Sequence, residues 1–201
     1  MTEPLAGREP AYPIDPQFTR RWSPRAFTGE PIPTDELLGC IEAARWAPSA
    51  FNAQPWRFVH ARRDTAAWAP IFDSLVEANR AWVVNASALV VVLSVTHRVV
   101  PGKPAPQPIG THAFDTGAAW ASFAFQALRS GWHTHAMAGF DRERLRTAIA
   151  APADCAIHAV VAVGRIADPS TLPESLRARE APSGRHDLGA IAAEGRWDFP
   201  G

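Results

Sequence analysis

The sequence predicts an α+β fold. Helical and strand patterns mix along the chain without the strict alternation that a doubly wound α/β sheet requires. Residues 88–95 (ALVVVLSV) and 156–166 (AIHAVVAVGRI) are apolar and rich in β-branched side chains, which is typical of strands buried on both faces. Residues 115–130 are apolar around most of the helical circumference, which indicates a helix buried at the centre of the fold.

The first part of the chain reads as an arm, a helix and a strand. Residues 1–16 contain four prolines and are predicted to form an extended N-terminal arm. Residues 34–47 place apolar side chains at helical spacing, with Thr34 as the expected N-cap and Pro48 just beyond the end. A short strand is expected at 57–61.

The middle of the chain contains the long apolar elements and one proline-rich connection. A helix is expected over 65–80, broken or restarted at Pro70. Residues 98–111 hold four prolines and two glycines and read as a loop. The helix at 115–130 is expected to be capped by Asp115 and ended by Gly131.

The last part of the chain holds two strands, a helix and an irregular tail. A strand is expected at 132–138, followed by a helix at 141–150 capped by Asp141 and by the 156–166 strand. Residues 167–201 are predicted to be an irregular C-terminal tail with a short helix near 173–180. Its charged stretch 177–180 is expected to be a solvated face.

Composition limits the class of protein. The chain has 201 residues, 47% of them hydrophobic, which suits one domain with a sizeable core. Its 20 Lys and Arg balance its 20 Asp and Glu, which argues against broad nucleic-acid binding but permits one small basic pocket. No apolar run approaches the roughly 20 residues of a membrane span. The N-terminus has no signal-like apolar segment, and Cys40 and Cys155 allow no disulfide framework, so we expect a cytoplasmic protein.

Two segments hold candidate binding chemistry. Residues 20–25 (RRWSPR) bring three guanidiniums and a hydroxyl together, which is the chemistry that a phosphate dianion requires, although a solvated basic stretch is an equal alternative. Residues 48–56 (PSAFNAQPW) carry amides that could recognise a flat heterocycle, although turn formation explains the same residues. His133 and His135 share one side of a strand but have no third ligand, so we expect no metal site.

In combination, these segments closely resemble the FMN-dependent nitroreductase family. RRWSPRAF is followed, after a helix, by APSAFNAQPWRFV, as in that family. The similarity continues through EANRAWVVNASALVVVL, DTGAAWASFAFQALRSGWHTHAMAGF, VGRI and SGRHDL, and so covers residues 17–197. The resemblance implies one nitroreductase-like domain over 1–201, with a mostly antiparallel central sheet flanked by helices, in an intertwined homodimer that holds FMN at its interface.

The resemblance also implies a set of cofactor-binding residues. Arg21, Trp22, Ser23, Arg25 and the late Arg185 match positions that bind the FMN phosphate, with Arg20 as a weaker candidate. The positions matching flavin contacts are Pro48, Ser49, Asn52, Gln54, Asn79, Ala138 and Gly139, those in the 48–54 loop often being supplied by the second subunit. Ala138 stands where the family's turn usually has glycine, which narrows the approach to the flavin.

The chemistry that the resemblance implies lies in the flavin. NAD(P)H would pass a hydride to flavin N5, and a small nitroaromatic or quinone-like acceptor would then be reduced by ping-pong turnover, with no catalytic side chain. Alternatives are another reaction on the same fold, namely ene reduction, dehydrogenation or dehalogenation, or a non-catalytic flavin-binding protein. The 98–114 segment is the kind of insertion that shapes a substrate channel.

Overall fold

Six strands and seven helices are formed by the residues that the computed structural model describes, which are residue 5 and residues 7–199. The strands are β1 (Trp56–Arg62), β2 (Ala88–Val95), β3 (His97–Arg98), β4 (Gln107–Pro108), β5 (His133–Met137) and β6 (Cys155–Gly164). The helices are α1 (Pro16–Arg20), α2 (Thr34–Arg45), α3 (Trp68–Phe72), α4 (Glu77–Val83), α5 (His112–Arg129), α6 (Arg142–Ala148) and α7 (Glu174–Arg177). Single 3₁₀ turns occur at Ala50–Asn52, Pro169–Thr171 and Leu188–Ala190.

The central sheet has the strand order β1-β2-β6-β5, and each neighbouring pair is antiparallel. The antiparallel sheet is therefore confirmed. β1 and β5 are its two edges, while the apolar β2 and β6 lie between them. The register of β2 against β6 shifts between Val92 and Leu93, and His158 is the extra residue at this bulge.

Helices cover both faces of the sheet. Side chains that alternate along β2 point to opposite faces, because successive residues of a strand do so. Val90 and Val92 pack with α2 and α5 in one buried cluster. Leu89 and Val91 pack in a second cluster with side chains from α3, α4 and α6, including Trp82. The two apolar layers explain why β2 has almost no polar residue.

Two predicted helix caps are wrong. α2 begins after Pro33, and Thr34 is already helical and forms no cap. α5 begins after Thr111, three residues earlier than predicted from Asp115, which lies buried inside the first turn. In both cases the residue with good capping chemistry lies inside the first turn, because the helix begins earlier in the chain. The cap at Asp141 is confirmed, because its side chain accepts a hydrogen bond from the Arg144 N–H.

The predicted 65–80 helix is two helices, and the break is not at Pro70. Pro70 lies in the first turn of α3, where its missing N–H has no partner to lose. The chain leaves the helix at 73–76, where Leu75 forms a bridge with Phe140 and the Val76 N–H donates to the Gly139 carbonyl. A long-range contact therefore sets the break.

Most other predicted elements are confirmed with small boundary shifts. Gly131 ends α5 with a φ of +79°, and the remaining strands start and end within two residues of prediction. The predicted 98–111 loop is wrong in one respect, because it contains the β4 strand of a small hairpin with β3. The predicted arm also ends in the short helix α1. Residues 1–4 and 6 of the arm and 200–201 of the tail lie outside the described residues. No described helix is long and apolar enough to cross a membrane.

Candidate functional site

The segment 21–25 runs in extended conformation from the end of α1 toward the sheet edge formed by β5. The Pro24 carbonyl accepts a hydrogen bond of 3.0 Å from His135 Nδ1, which assigns the proton of that ring to Nδ1. Just beyond it, Phe27 forms a bridge with Ile166, and the Thr28 N–H donates to the Arg165 carbonyl. The segment is therefore fixed on one side by β5 and on the other by the chain that leaves β6.

Glu180, from the C-terminal tail, binds the backbone at the end of the 21–25 segment. One oxygen, Oε1, accepts the backbone N–H groups of Arg25 and Ala26 at 2.7 and 2.8 Å. The other oxygen lies 3.9 Å from the Arg25 guanidinium, and the Glu180 side chain is only 2% exposed. The prediction that 177–180 is a solvated face is thus wrong for Glu180, while Arg177 and Arg179 are exposed.

The segment, β5 and the tail enclose a cavity of about 350 Å³. All five residues predicted at the phosphate come together there, and the tail and β5 add four more. Four guanidiniums face this space, and no carboxylate lines it among the described residues. The lining residues are Arg21, Trp22, Ser23, Arg25, His135, Arg179, Ala181, Ser183 and Arg185.

The charges around the cavity are mutually repulsive in the absence of an anion. The pKa of the Arg21 guanidinium is lowered by burial and then by the charges of Arg185 and Arg8. The pKa of Arg25 is lowered by burial and by Arg179, which Glu180 partly offsets. These guanidiniums remain charged, because an arginine pKa lies far above neutrality. A chain with zero formal charge therefore concentrates positive potential in one pocket.

Two histidines on β5 respond to this potential. Burial, followed by the charges of Arg20 and Arg21, lowers the pKa of His133 to about 4. Burial also lowers the pKa of His135, against the opposing effect of its hydrogen bond to Pro24. Both rings are therefore neutral at physiological pH, so His135 offers the cavity a neutral ring rather than another cation.

The turn that follows β5 is a close backbone approach. The Asn79 amide donates to the Gly139 carbonyl at 2.9 Å, and the Val76 N–H donates to the same oxygen at 3.1 Å. A Cβ at Gly139 would lie 2.8 Å from Asn79 Nδ2, so a larger residue there would displace the Asn79 amide. The Gly139 N–H has no partner among the described residues, and exposed Ala138 precedes it. This turn therefore presents one unused donor, four residues along the chain from His135 and so at most roughly 13 Å from it.

The 48–54 loop is locally strained. Phe51, Asn52 and Gln54 have φ values of 52°, 52° and 46°, a left-handed region that residues other than glycine seldom occupy. Ser49 Oγ accepts the Gln54 N–H at 3.0 Å and so closes the loop. Such conformations cost on the order of 1–3 kcal/mol each and persist where surrounding contacts enforce them, often at ligand sites.

Asp115 is one of the contacts that hold this loop. Its Oδ2 accepts the Ala50 N–H at 3.3 Å and the Thr111 hydroxyl at 2.8 Å. The carboxylate is buried in the first turn of α5, so it joins the loop to the most buried helix of the fold. Asp115 therefore stabilises the 48–54 loop and does not cap α5.

The structure brings together one part of the predicted site but not the other within one chain. The cavity and the 138–139 turn lie at the β5 edge, and the 48–54 loop precedes β1 at the opposite edge. Three strand spacings, roughly 14 Å, separate the two edges. Pro48, Asn52 and Gln54 are exposed and Ser49 is half-buried at that far edge.

Several site residues escaped prediction. Arg179 and Glu180 looked like solvated charges because their contacts with the 21–25 segment lie about 155 residues away in sequence. The alternation of His133 and His135 on a strand points only to metal ligation, and not to a place beside a cavity of arginines. Arg8 occurs in the predicted arm, where no local pattern marks it. Its distance from other arginines in the sequence does not predict its contact with Arg21, because that contact is formed only by the tertiary fold.

Comparison with known proteins finds sequence similarity over part or most of the chain. The profile of the nitroreductase family matches residues 18–81, which include the 21–25 segment and the 48–54 loop. NADH dehydrogenase of Thermus thermophilus is 32% identical over 170 residues, which cover 72% of this chain and 82% of that protein. An uncharacterized 15.4 kDa protein from the ask 5′ region of Mycolicibacterium smegmatis is 39% identical over 89 residues, covering 44% of this chain and 60% of that relative's length.

A solved structure extends the likeness to the whole fold. A crystal structure described as an oxidoreductase containing FMN superimposes with a TM-score of 0.95 at 44% identity, with 100% of both chains covered. The chain therefore has the fold of an FMN-containing oxidoreductase, with an antiparallel sheet between two layers of helices. The chain belongs to the nitroreductase family.

Proposed function

We propose that this protein is an FMN-dependent oxidoreductase that takes electrons from NAD(P)H and reduces a small nitroaromatic or quinone-like acceptor. The observation that most supports this proposal is the cavity at the β5 edge, with four guanidiniums and no lining carboxylate among the described residues. Such a donor set fits a phosphate dianion, because guanidinium forks match phosphate oxygens in both charge and geometry. The residues present therefore fit the phosphate end of FMN.

Different residues of the cavity would make different contacts with FMN. Arg21, Arg25 and Arg185 would neutralise the phosphate, and the Ser23 hydroxyl would add a neutral hydrogen bond. Trp22 closes one side of the cavity. Glu180 fixes the backbone of the segment without facing the phosphate itself, because it is occupied by two N–H groups. When bound, FMN supplies the hydride chemistry that the side chains lack.

The flavin ring would extend from this cavity toward the 138–139 turn. The Gly139 N–H, which has no partner among the described residues, would donate to the ring, and Asn79 would orient this turn by holding the Gly139 carbonyl. An N–H fixed before binding stabilises negative charge on a ligand without further reorganisation. This role needs only the backbone, so the alanine at position 138 is compatible with it.

We further propose that the working form is a homodimer in which the 48–54 loop of one chain completes the site of the other. Support comes from the separation of the two halves at opposite sheet edges. It also comes from large apolar side chains left at the surface, such as Phe51 (89% exposed) and Phe114 (82% exposed). Each subunit would be one domain over residues 1–201. The two free, buried cysteines suit a reducing cytoplasm.

The proposal is tested by the spectrum and redox behaviour of the purified protein. We expect FMN near one per chain, and bleaching of the flavin absorbance when NADH or NADPH is added without oxygen. Reoxidation by a quinone or nitroaromatic should then restore the spectrum. A colourless protein that takes up no added FMN would reject the proposal. Flavin that neither nicotinamide reduces would instead indicate one of the other flavin reactions or a non-catalytic flavoprotein.

A further inference from the structure

A second cavity adjoins the cavity lined by Arg21, Arg25 and Arg185, which we call the phosphate cavity. It lies where the N-terminal arm meets the C-terminal tail. It measures about 530 Å³ and is lined by residues 7–12, 14, 18 and 19 near the chain start and by residues 185–188 and 191 of the tail. Arg185 lines both cavities and therefore marks their junction. The arm approaches the tail closely at this point, because a Cβ on Gly184 would lie 3.6 Å from the Gly7 carbonyl oxygen.

Arg8 is the most buried charged side chain of this junction. It is 8% exposed, and its Nη1 donates a 2.8 Å hydrogen bond to the Arg21 carbonyl. A turn holds its backbone, since the Arg8 N–H donates to the Leu5 carbonyl and Gly7 has a φ of +74°. The Arg8 guanidinium is thus held by the backbone of Arg21, whose side chain lines the phosphate cavity.

In the described structure, Arg8 lacks the paired carboxylate that a buried guanidinium normally has. No carboxylate pairs with it among the described residues, although Glu9 and Asp187 line the same cavity. The charges that shift its pKa are cationic: the pKa of Arg8 is lowered by burial and then by Arg185, and Arg8 in turn lowers the pKa of Arg21. A buried charge without a counter-ion is costly, so such an arrangement favours an anion bound between the guanidiniums.

We propose that Arg8 is an additional phosphate ligand and that the N-terminal arm closes over the bound cofactor through it. The inference rests on the proposed function, because it assigns the anion to the phosphate of FMN. One of the five N–H donors of Arg8 is used by Arg21, which leaves others for phosphate oxygens. Arg8 would thereby join the arm, the 21–25 segment and the tail around a single anion.

The test compares Arg8→Ala and Arg8→Lys with Arg129→Ala, a matched loss of one cation at the exposed end of α5. Dissociation constants are measured by flavin fluorescence for FMN and for riboflavin, which lacks the phosphate. We expect Arg8→Ala to weaken FMN by about 10-fold or more, as for loss of a charged hydrogen bond, and to leave riboflavin unchanged. Arg8→Lys should fall between, and Arg129→Ala should match the parent protein.

Two further measurements test whether Arg8 binds the anion and whether the arm orders around it. Inorganic phosphate should raise the thermal unfolding midpoint of the parent and of Arg129→Ala, but much less that of Arg8→Ala. Hydrogen exchange over residues 5–15 should slow on FMN binding in the parent and not in Arg8→Ala. Equal weakening of FMN and riboflavin, or unchanged FMN affinity, would overturn the inference. If no flavin binds, the proposed function fails, while the phosphate response still decides whether Arg8 is an anion ligand.

Discussion

At the scale of single residues, the site depends on how buried charges are compensated. Glu180 has two backbone N–H partners and one nearby guanidinium, so its charge is stabilised inside the fold. The pKa values of Arg8 and Arg21 are lowered by burial and by neighbouring guanidiniums, and the anion proposed to bind there would offset this repulsion. Glu180 therefore fixes the backbone beside the cavity, and the positive charge of the cavity has no lining carboxylate to balance it among the described residues.

His133 reports this potential through the pH dependence of stability. Its pKa of about 4 in the folded protein lies below the ordinary value of 6.5 because of burial and the neighbouring Arg20 and Arg21. As pH falls below 6.5, the unfolded chain binds a proton before the folded chain does. His133 therefore stabilises the fold fully above about pH 7, and this contribution is lost between about pH 6.5 and 4.

We expect His133→Gln to flatten that part of the pH profile. The difference in unfolding free energy between the parent and the variant should change by on the order of 1–2 kcal/mol from pH 7 to pH 4, after allowance for partial solvation. Urea unfolding at each pH measures it. The exposed histidine His97, changed to Gln, is the matched control. A difference that stays constant with pH would contradict the assignment of this titration to His133.

At the scale of elements, local patterns predicted what local interactions determine. The continuous apolar runs gave β2 and β6 almost to the residue, because strands buried between two helical layers need apolar side chains throughout. The helical period gave α2 in the same way. The break after α3 escaped prediction, since it is set by the contact of Leu75 and Val76 with the turn after β5.

The strained 48–54 loop leads to a prediction about Asp115. Asp115→Ala removes the acceptor of the Ala50 N–H and of the Thr111 hydroxyl, both at the base of the loop. We expect a loss of about 1–3 kcal/mol in the free energy of unfolding. We also expect weaker binding of FMN and riboflavin by the same factor, because the loop is proposed to contact the ring rather than the phosphate. Urea unfolding and flavin titration measure the two effects.

Asp35→Ala is the appropriate control for this change. Asp35 also lies in the first turn of a long helix, α2, but it is exposed and forms no side-chain hydrogen bond in the described structure. Its removal should cost at most a small loss of favourable interaction with the helix dipole and leave both flavins bound as before. Selective loss of FMN alone in Asp115→Ala would refute the proposed contact of the loop with the ring.

At the scale of the whole molecule, the sequence could indicate the residues of the site but not their distances. The order β1-β2-β6-β5 is determined by pairing between segments far apart in the chain, and no local pattern contains it. That order places the 48–54 loop and the phosphate cavity at opposite edges of the sheet. It also brings Glu180 and Arg8 to the 21–25 segment, which neither charge pattern nor spacing could predict.

The separation of the two half-sites gives the sharpest test of the proposed dimer. Arg21→Ala removes a phosphate ligand, and Asn52→Gly removes an amide while glycine retains the positive φ at that position. Each variant alone should bind FMN about 10-fold or more weakly. If the loop acts across the interface, refolding an equal mixture makes about half of the dimers hybrids, each with one intact and one doubly altered site. About one quarter of all sites should then recover parental FMN affinity. If both half-sites belonged to the same chain, no site in the mixture would be intact, so unchanged weak binding alongside confirmed subunit exchange would exclude the shared site.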